Sequence, residues 1–115
     1  MAEPYLERLT QMVDGLEPLQ IRDVILECKH FFSGAALYAN GKMCASLSPV
    51  GFALKLPEDQ RRGLIGEGKG EVFRFFPNGP IKRDYVALSK SVIQDKKVLQ
   101  ELVDESVRYV VRLSD

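Results

Sequence analysis

Cys28, His30 and Cys44 carry the most inherent chemistry in this 115-residue chain, because thiolates and imidazoles are both nucleophiles and soft metal ligands. Cys28-Lys29-His30 spaces two of them so that a strand would present both on one face. A closed zinc site takes four ligands, however, and a carboxylate would have to complete this set. A thiol nucleophile needs a base and a third group to orient that base, and no such group is recognisable. We therefore expect two buried cysteines acting as small apolar side chains, with no metal or cofactor site. Paired-carboxylate, GxSxG and HExxH patterns are missing too, so no catalytic residues and no enzymatic activity are expected.

Charge offers a second kind of chemistry. Sixteen basic and sixteen acidic residues cancel, so no overall field draws the chain to nucleic acid or to a membrane. The distribution is uneven. Residues 60–83 hold Arg61, Arg62, Lys69, Arg74, Lys82 and Arg83 against only Glu67 and Glu71. Gathered on one face, these six could contact an anion or a nucleic-acid backbone. They come without a helix-turn-helix or finger to read bases, so nucleic acid is an alternative partner and not the favoured one. Gly66-Glu67-Gly68-Lys69-Gly70 has the glycine density of a phosphate loop in the wrong setting, after a helix and before a strand. It reads as a helix-terminating loop that needs positive φ.

The elements that must position these residues follow from pattern. Pro4 opens a helix in which Tyr5, Leu6, Leu9, Met12, Val13 and Leu16 recur at helical spacing, and Gly15 and Pro18 end it. Val24-Ile25-Leu26 and Phe31-Phe32 favour a strand within residues 21–32. Strands at 35–39, 42–47 and 52–56 follow, joined by an Asn40-Gly41 type I′ turn and by Ser48-Pro49-Val50-Gly51. Pro57-Glu58-Asp59 starts a short helix. Residues 71–76 and 82–88 form two strands around the turn Pro77-Asn78-Gly79-Pro80. A long helix capped by Asp95 closes the chain, with Leu99, Leu102, Val103, Ser106, Val110 and Leu113 on one stripe. Val98, Val107, Tyr109 and Val111 make it apolar on more than one side, which suits deeper burial or a partner contact.

Short connections make the strands antiparallel. The expectation is one α+β domain over residues 1–115, a two-layer sandwich of about five antiparallel strands with helices on one face, ordered α-β(3)-α-β(2)-α. Two cysteines suit a reducing cytoplasm, and neither a signal peptide nor an apolar run long enough to span a membrane is present.

Several of these segments together resemble the TfoX N-terminal domain (TfoX/Sxy) family. The resemblance rests on Phe31-Phe32-Ser33-Gly34, the hairpin Tyr38-Ala39-Asn40-Gly41-Lys42-Met43 and the strand Phe52–Leu56. Phe75-Phe76-Pro77-Asn78-Gly79, Tyr85-Val86-Ala87-Leu88 and the closing Glu105-Ser106-Val107-Arg108-Tyr109 add to it. Lys29-His30-Phe31-Phe32-Ser33-Gly34 departs from the family pattern in lacking a methionine and one of the paired glycines. The resemblance implies a sheet-and-helix fold like that of secretion chaperones, a link to competence and transcription regulation, and no known enzymatic activity. Full-length competence regulators of the family add a C-terminal helical domain that these residues do not contain, so activation of DNA-uptake genes is not carried over. The reading that results is a cytoplasmic, non-enzymatic regulatory module that binds a protein partner or a second copy of itself. A nucleic-acid-associated regulator using residues 61–83 is the alternative, and a Cys/His metal or thiol enzyme is the least favoured reading.

Overall fold

Local signals in the sequence account for most of the elements seen in the computed structural model, which describes residues 3–17, 23–75 and 78–113. Helix α1 spans Glu3–Asp14 and buries Leu9 completely, with Tyr5, Leu6, Met12 and Val13 packed beside it. Strands β1 (Leu26–Phe31), β2 (Gly34–Ala39), β3 (Lys42–Ser48) and β4 (Gly51–Lys55) form a meander. Asn40 and Gly41 both take positive φ, 52° and 81°, as a type I′ turn requires. Helix α2 (Glu58–Gly66) leads into the hairpin β5 (Gly70–Arg74) and β6 (Ile81–Leu88), and helices α3 (Lys90–Gln94) and α4 (Lys96–Arg112) follow.

The sheet has six strands, all antiparallel, in the order β1-β2-β3-β4-β6-β5. Helices α1 and α4 cover one face, where Leu37, Leu47, Phe52, Leu54 and Val86 meet Leu9, Leu99, Val103, Val107 and Val110. This is the expected two-layer α+β architecture, but four strands and not three precede α2, and two helices and not one close the chain. The other face carries a smaller cluster of Ala53, Phe73 and Tyr85, flanked by Met43, Val50, Phe75 and Ala87. Phe31, at the end of edge strand β1, reaches Phe75, just past edge strand β5, with ring centroids 5.3 Å apart. A flat sheet would hold these edges roughly 24 Å apart at about 4.8 Å per strand, so this one is strongly coiled. Register shifts at Leu37/Tyr38 and Val72/Arg74 contribute to that coiling.

Several expectations need correction. The first strand begins at Leu26, because Asn40 ties down the residues before it: its side chain accepts from the Ile25 N–H at 2.8 Å and donates to the Asp23 carbonyl at 3.1 Å. Pro57 caps α2 and does not open it, since its ψ of 156° is extended. An extra helix, α3, is capped by the Ser89 hydroxyl and gives way at Asp95, which caps α4 by accepting from the Val98 N–H at 3.2 Å. The second apolar side of α4 packs inside the molecule: Val107 is fully buried, and Val98, Tyr109 and Val111 lie against the core. Pro18, Phe76 and Pro77 lie outside the described residues, as do the first two positions of the strand expected within residues 21–32.

Candidate functional site

Helix α2 positions the site. It buries none of its residues fully and lies against the β5–β6 hairpin, held by half-buried Leu64 and by polar contacts. Gln60 donates to the Glu105 carboxylate at 3.1 Å, and the Arg61 guanidinium donates to the Leu56 carbonyl at 2.6 Å. Gly68, at φ 74°, turns the chain from α2 into β5, while Gly70 lets β5 approach β6: a Cβ there would lie 2.7 Å from Val86 Cγ2. The glycine cluster is thus a helix stop, as expected, and Gly70 adds a close packing point.

Between α2 and the hairpin runs a groove of about 330 Å³ lined by Glu58, Arg61, Arg62, Ile65, Val72, Ile81, Lys82, Arg83 and Tyr85. It brings together four of the six basic residues singled out from sequence. Lys69 and Arg74 do not join them. Lys69 pairs with Glu67 at 3.2 Å in the turn, and Arg74 donates to the Gly79 carbonyl at 3.2 Å. Within the groove Arg62 pairs with Glu58 at 2.7 Å. The Lys82 ammonium sits 5.6 Å from the centroid of the Phe75 ring, which does not line the groove.

Sequence reasoning missed the apolar half of this groove. Ile65, Val72 and Ile81 are 42, 55 and 44% exposed, three of six large hydrophobics exposed to that degree among the described residues. Scattered apolar residues need no explanation, but three that converge under a cationic rim do. Ile65 does leave a trace in the sequence, since Arg61 and Arg62 stand one helical turn before it. Strand β5 ends the sheet, so among the described residues its outer edge pairs with no further strand.

Cys28, His30 and Cys44 do not line this groove. Cys28 and His30 share a face of β1, opposite Leu37 and Ala35, with His30 exposed and Cys28 half-buried against α1. Both cysteines are free thiols. Burial pushes the Cys44 thiol up to about 12 and raises that of Cys28, the opposite of what a thiolate nucleophile requires. Among the described residues no three His, Cys, Asp or Glu side chains are grouped as a metal site. Nor is any helix among them long and apolar enough to cross a membrane.

These features define an α+β domain whose helices cover one face of a coiled antiparallel sheet and whose last strand borders an amphipathic groove. The chain belongs to the TfoX N-terminal domain family, which it matches over residues 24–109. The groove and every strand lie within the matched residues, whereas α1 lies before them. No curated protein matches the sequence significantly.

Proposed function

We propose that this domain acts by binding and not by catalysis, as a cytoplasmic regulatory module that takes an acidic, amphipathic segment of a protein partner in the groove beside β5. The observation that carries this reading is the convergence of Ile65, Val72 and Ile81 with Arg61, Arg62, Lys82 and Arg83 against a single carboxylate, Glu58. The apolar floor supplies most of the affinity. Completing the burial of three half-exposed aliphatic side chains is worth about 3 kcal/mol in total, at roughly 1.5–3 kcal/mol for each full burial. Exposed ion pairs add only about 0–1 kcal/mol each, so the cations select an acidic partner and speed its approach. The open edge of β5 offers main-chain hydrogen bonds to an extended segment. The resemblance to competence and transcription regulators supports a regulatory role, and two free thiols suit the cytoplasm.

The test compares partners captured by the tagged wild-type protein, by Val72→Glu/Ile81→Glu and by a distant surface control, Lys29→Glu. A partner lost with the double variant and kept by the control supports the groove. Identical capture by all three rejects it. The nucleic-acid reading is favoured by one observation, the shared location of Arg61, Arg62, Lys82 and Arg83. Anisotropy with a labelled duplex, titrated in salt, separates the two readings. Binding that weakens steeply with salt and is lost on Arg61→Glu/Arg83→Glu would replace the protein partner with a phosphate backbone.

A further inference from the structure

A gap between α1 and α3 opens a cleft of about 610 Å³ on the helix layer, well apart from the groove and sharing no residue with it. Its floor is part of the main core: Leu47, Phe52 and Leu88 are only 4, 2 and 7% exposed. Tyr5 and Met12 of α1 and Ile93 of α3 form apolar walls. At the rim stand Arg8 of α1 and Lys90, the first residue of α3. Ser48, Pro49, Gly51 and Gln94 complete the lining, so among the described residues no carboxylate lines the cleft.

Two features make this more than a fold in the surface. In a chain with equal numbers of acidic and basic residues, a recess lined by two cations and, among the described residues, by no acid selects anions. The Arg8 guanidinium stacks on the Tyr5 ring, 5.4 Å from its centroid, which holds it at the rim. Neither Arg8 nor Lys90 forms an ion pair among the described residues. The volume falls in the range of about 300–1,000 Å³ typical of small-ligand sites, which combine apolar walls with a few polar groups that orient the ligand. An apolar floor gives nothing to a bare inorganic anion, and the cations give nothing to a neutral hydrocarbon.

We propose that this cleft binds a small amphiphile with a single carboxylate head. Its apolar body lies between the half-buried Tyr5, Met12 and Ile93, above the core residues Leu47, Phe52 and Leu88, and its head is held by Arg8 and Lys90. The family match does not supply this site, because Tyr5, Arg8 and Met12 precede the matched residues.

The experiment is a titration of the uniformly ¹⁵N-labelled protein with decanoate below its micelle concentration, beside decanol and acetate as single-feature controls. Decanoate is expected to move the amides of Leu47, Ser48, Gly51 and Ile93 saturably, with a Kd at or below about 1 mM. The exposed-site variant Arg8→Gln/Lys90→Gln should weaken decanoate by about tenfold, a loss of about 1.4 kcal/mol, and leave decanol unchanged. Decanol binding as tightly as decanoate would overturn the proposal, because the cations would then read nothing. So would the lack of a saturable shift in the millimolar range, or shifts confined to residues outside the cleft.

Discussion

Ser106 shows how one side chain couples the two layers. It is fully buried in the middle of α4, and its hydroxyl lies 2.9 Å from the Cys44 carbonyl and 2.8 Å from the Lys55 carbonyl, sharing one proton between them. The register explains why the Cys44 oxygen needs it: Leu37 pairs with Ala45 and Tyr38 with Met43, so Cys44 has no partner on β2. Ser106→Ala would leave the buried Cys44 carbonyl beside a methyl group and is expected to cost about 1–3 kcal/mol, read by urea unfolding. A change well below that range would mean that the carbonyl finds another donor. Cys44 itself gives a pH prediction. Its folded pKa, pushed up to about 12 by burial, lies above the ordinary value of 9.0 that the unfolded chain has. The folded state therefore keeps its proton longer. Stability should be unaffected by this thiol below pH 9 and should fall between 9 and about 12, by at most about 1.4 kcal/mol per pH unit. Cys44→Ala should flatten that decline. Gly34 makes a simpler steric case: a Cβ there would collide with the Leu47 carbonyl oxygen, so Gly34→Ala forces β2 and β3 apart and should lower Tm sharply.

Among the elements, those legible in the sequence are the ones whose signals are local. Asn40-Gly41 specifies its turn through two positive φ values, and Asp95 marks the start of α4 because its side chain caps Val98 three residues on. Helix α3 went unread for a physical reason: it has five residues, only Val92 buried, and is too short to show a period. The start of β1 was misjudged because Asn40, fifteen residues beyond Ile25 in the chain, decides it. The groove was half visible. Its cations stood out as a run, but its apolar floor exists only where α2 meets a hairpin reached after the glycine loop. The weak seating of α2 is a tertiary fact as well. With no fully buried residue it should open before α4, which buries Leu99, Val103, Ser106, Val107 and Val110. In hydrogen exchange the amides of α2 are expected to exchange well ahead of those in the middle of α4. Equal protection would show that α2 belongs to the main cooperative unit, and the groove would then be rigid before any partner arrives.

For the molecule as a whole, the net charge of zero conceals a separation across α2. One flank of this helix is the cationic groove. The other opens on a cleft of about 760 Å³ shared with α4, where Glu67, Glu101, Asp104 and Glu105 stand with Arg108. Groove and cleft are complementary in charge, so two copies attract head to tail. Such a contact is heterologous and does not close on itself, and growing chains would follow if it were strong. It should not be strong. A handful of exposed ion pairs at about 0–1 kcal/mol each falls short of the roughly 8 kcal/mol that micromolar association requires. Screening over about 8 Å at physiological ionic strength weakens it further. Sedimentation velocity at micromolar concentration is therefore expected to show a monomer in physiological salt. Any reversible association should be confined to low salt and removed by Arg61→Glu/Arg83→Glu. That outcome leaves the groove open to an acidic segment whose apolar side chains add what charge alone does not. A salt-resistant dimer would mean the reverse: apolar surface buried between copies, with Ile65, Val72 and Ile81 the first residues to mutate, and no groove left for another protein.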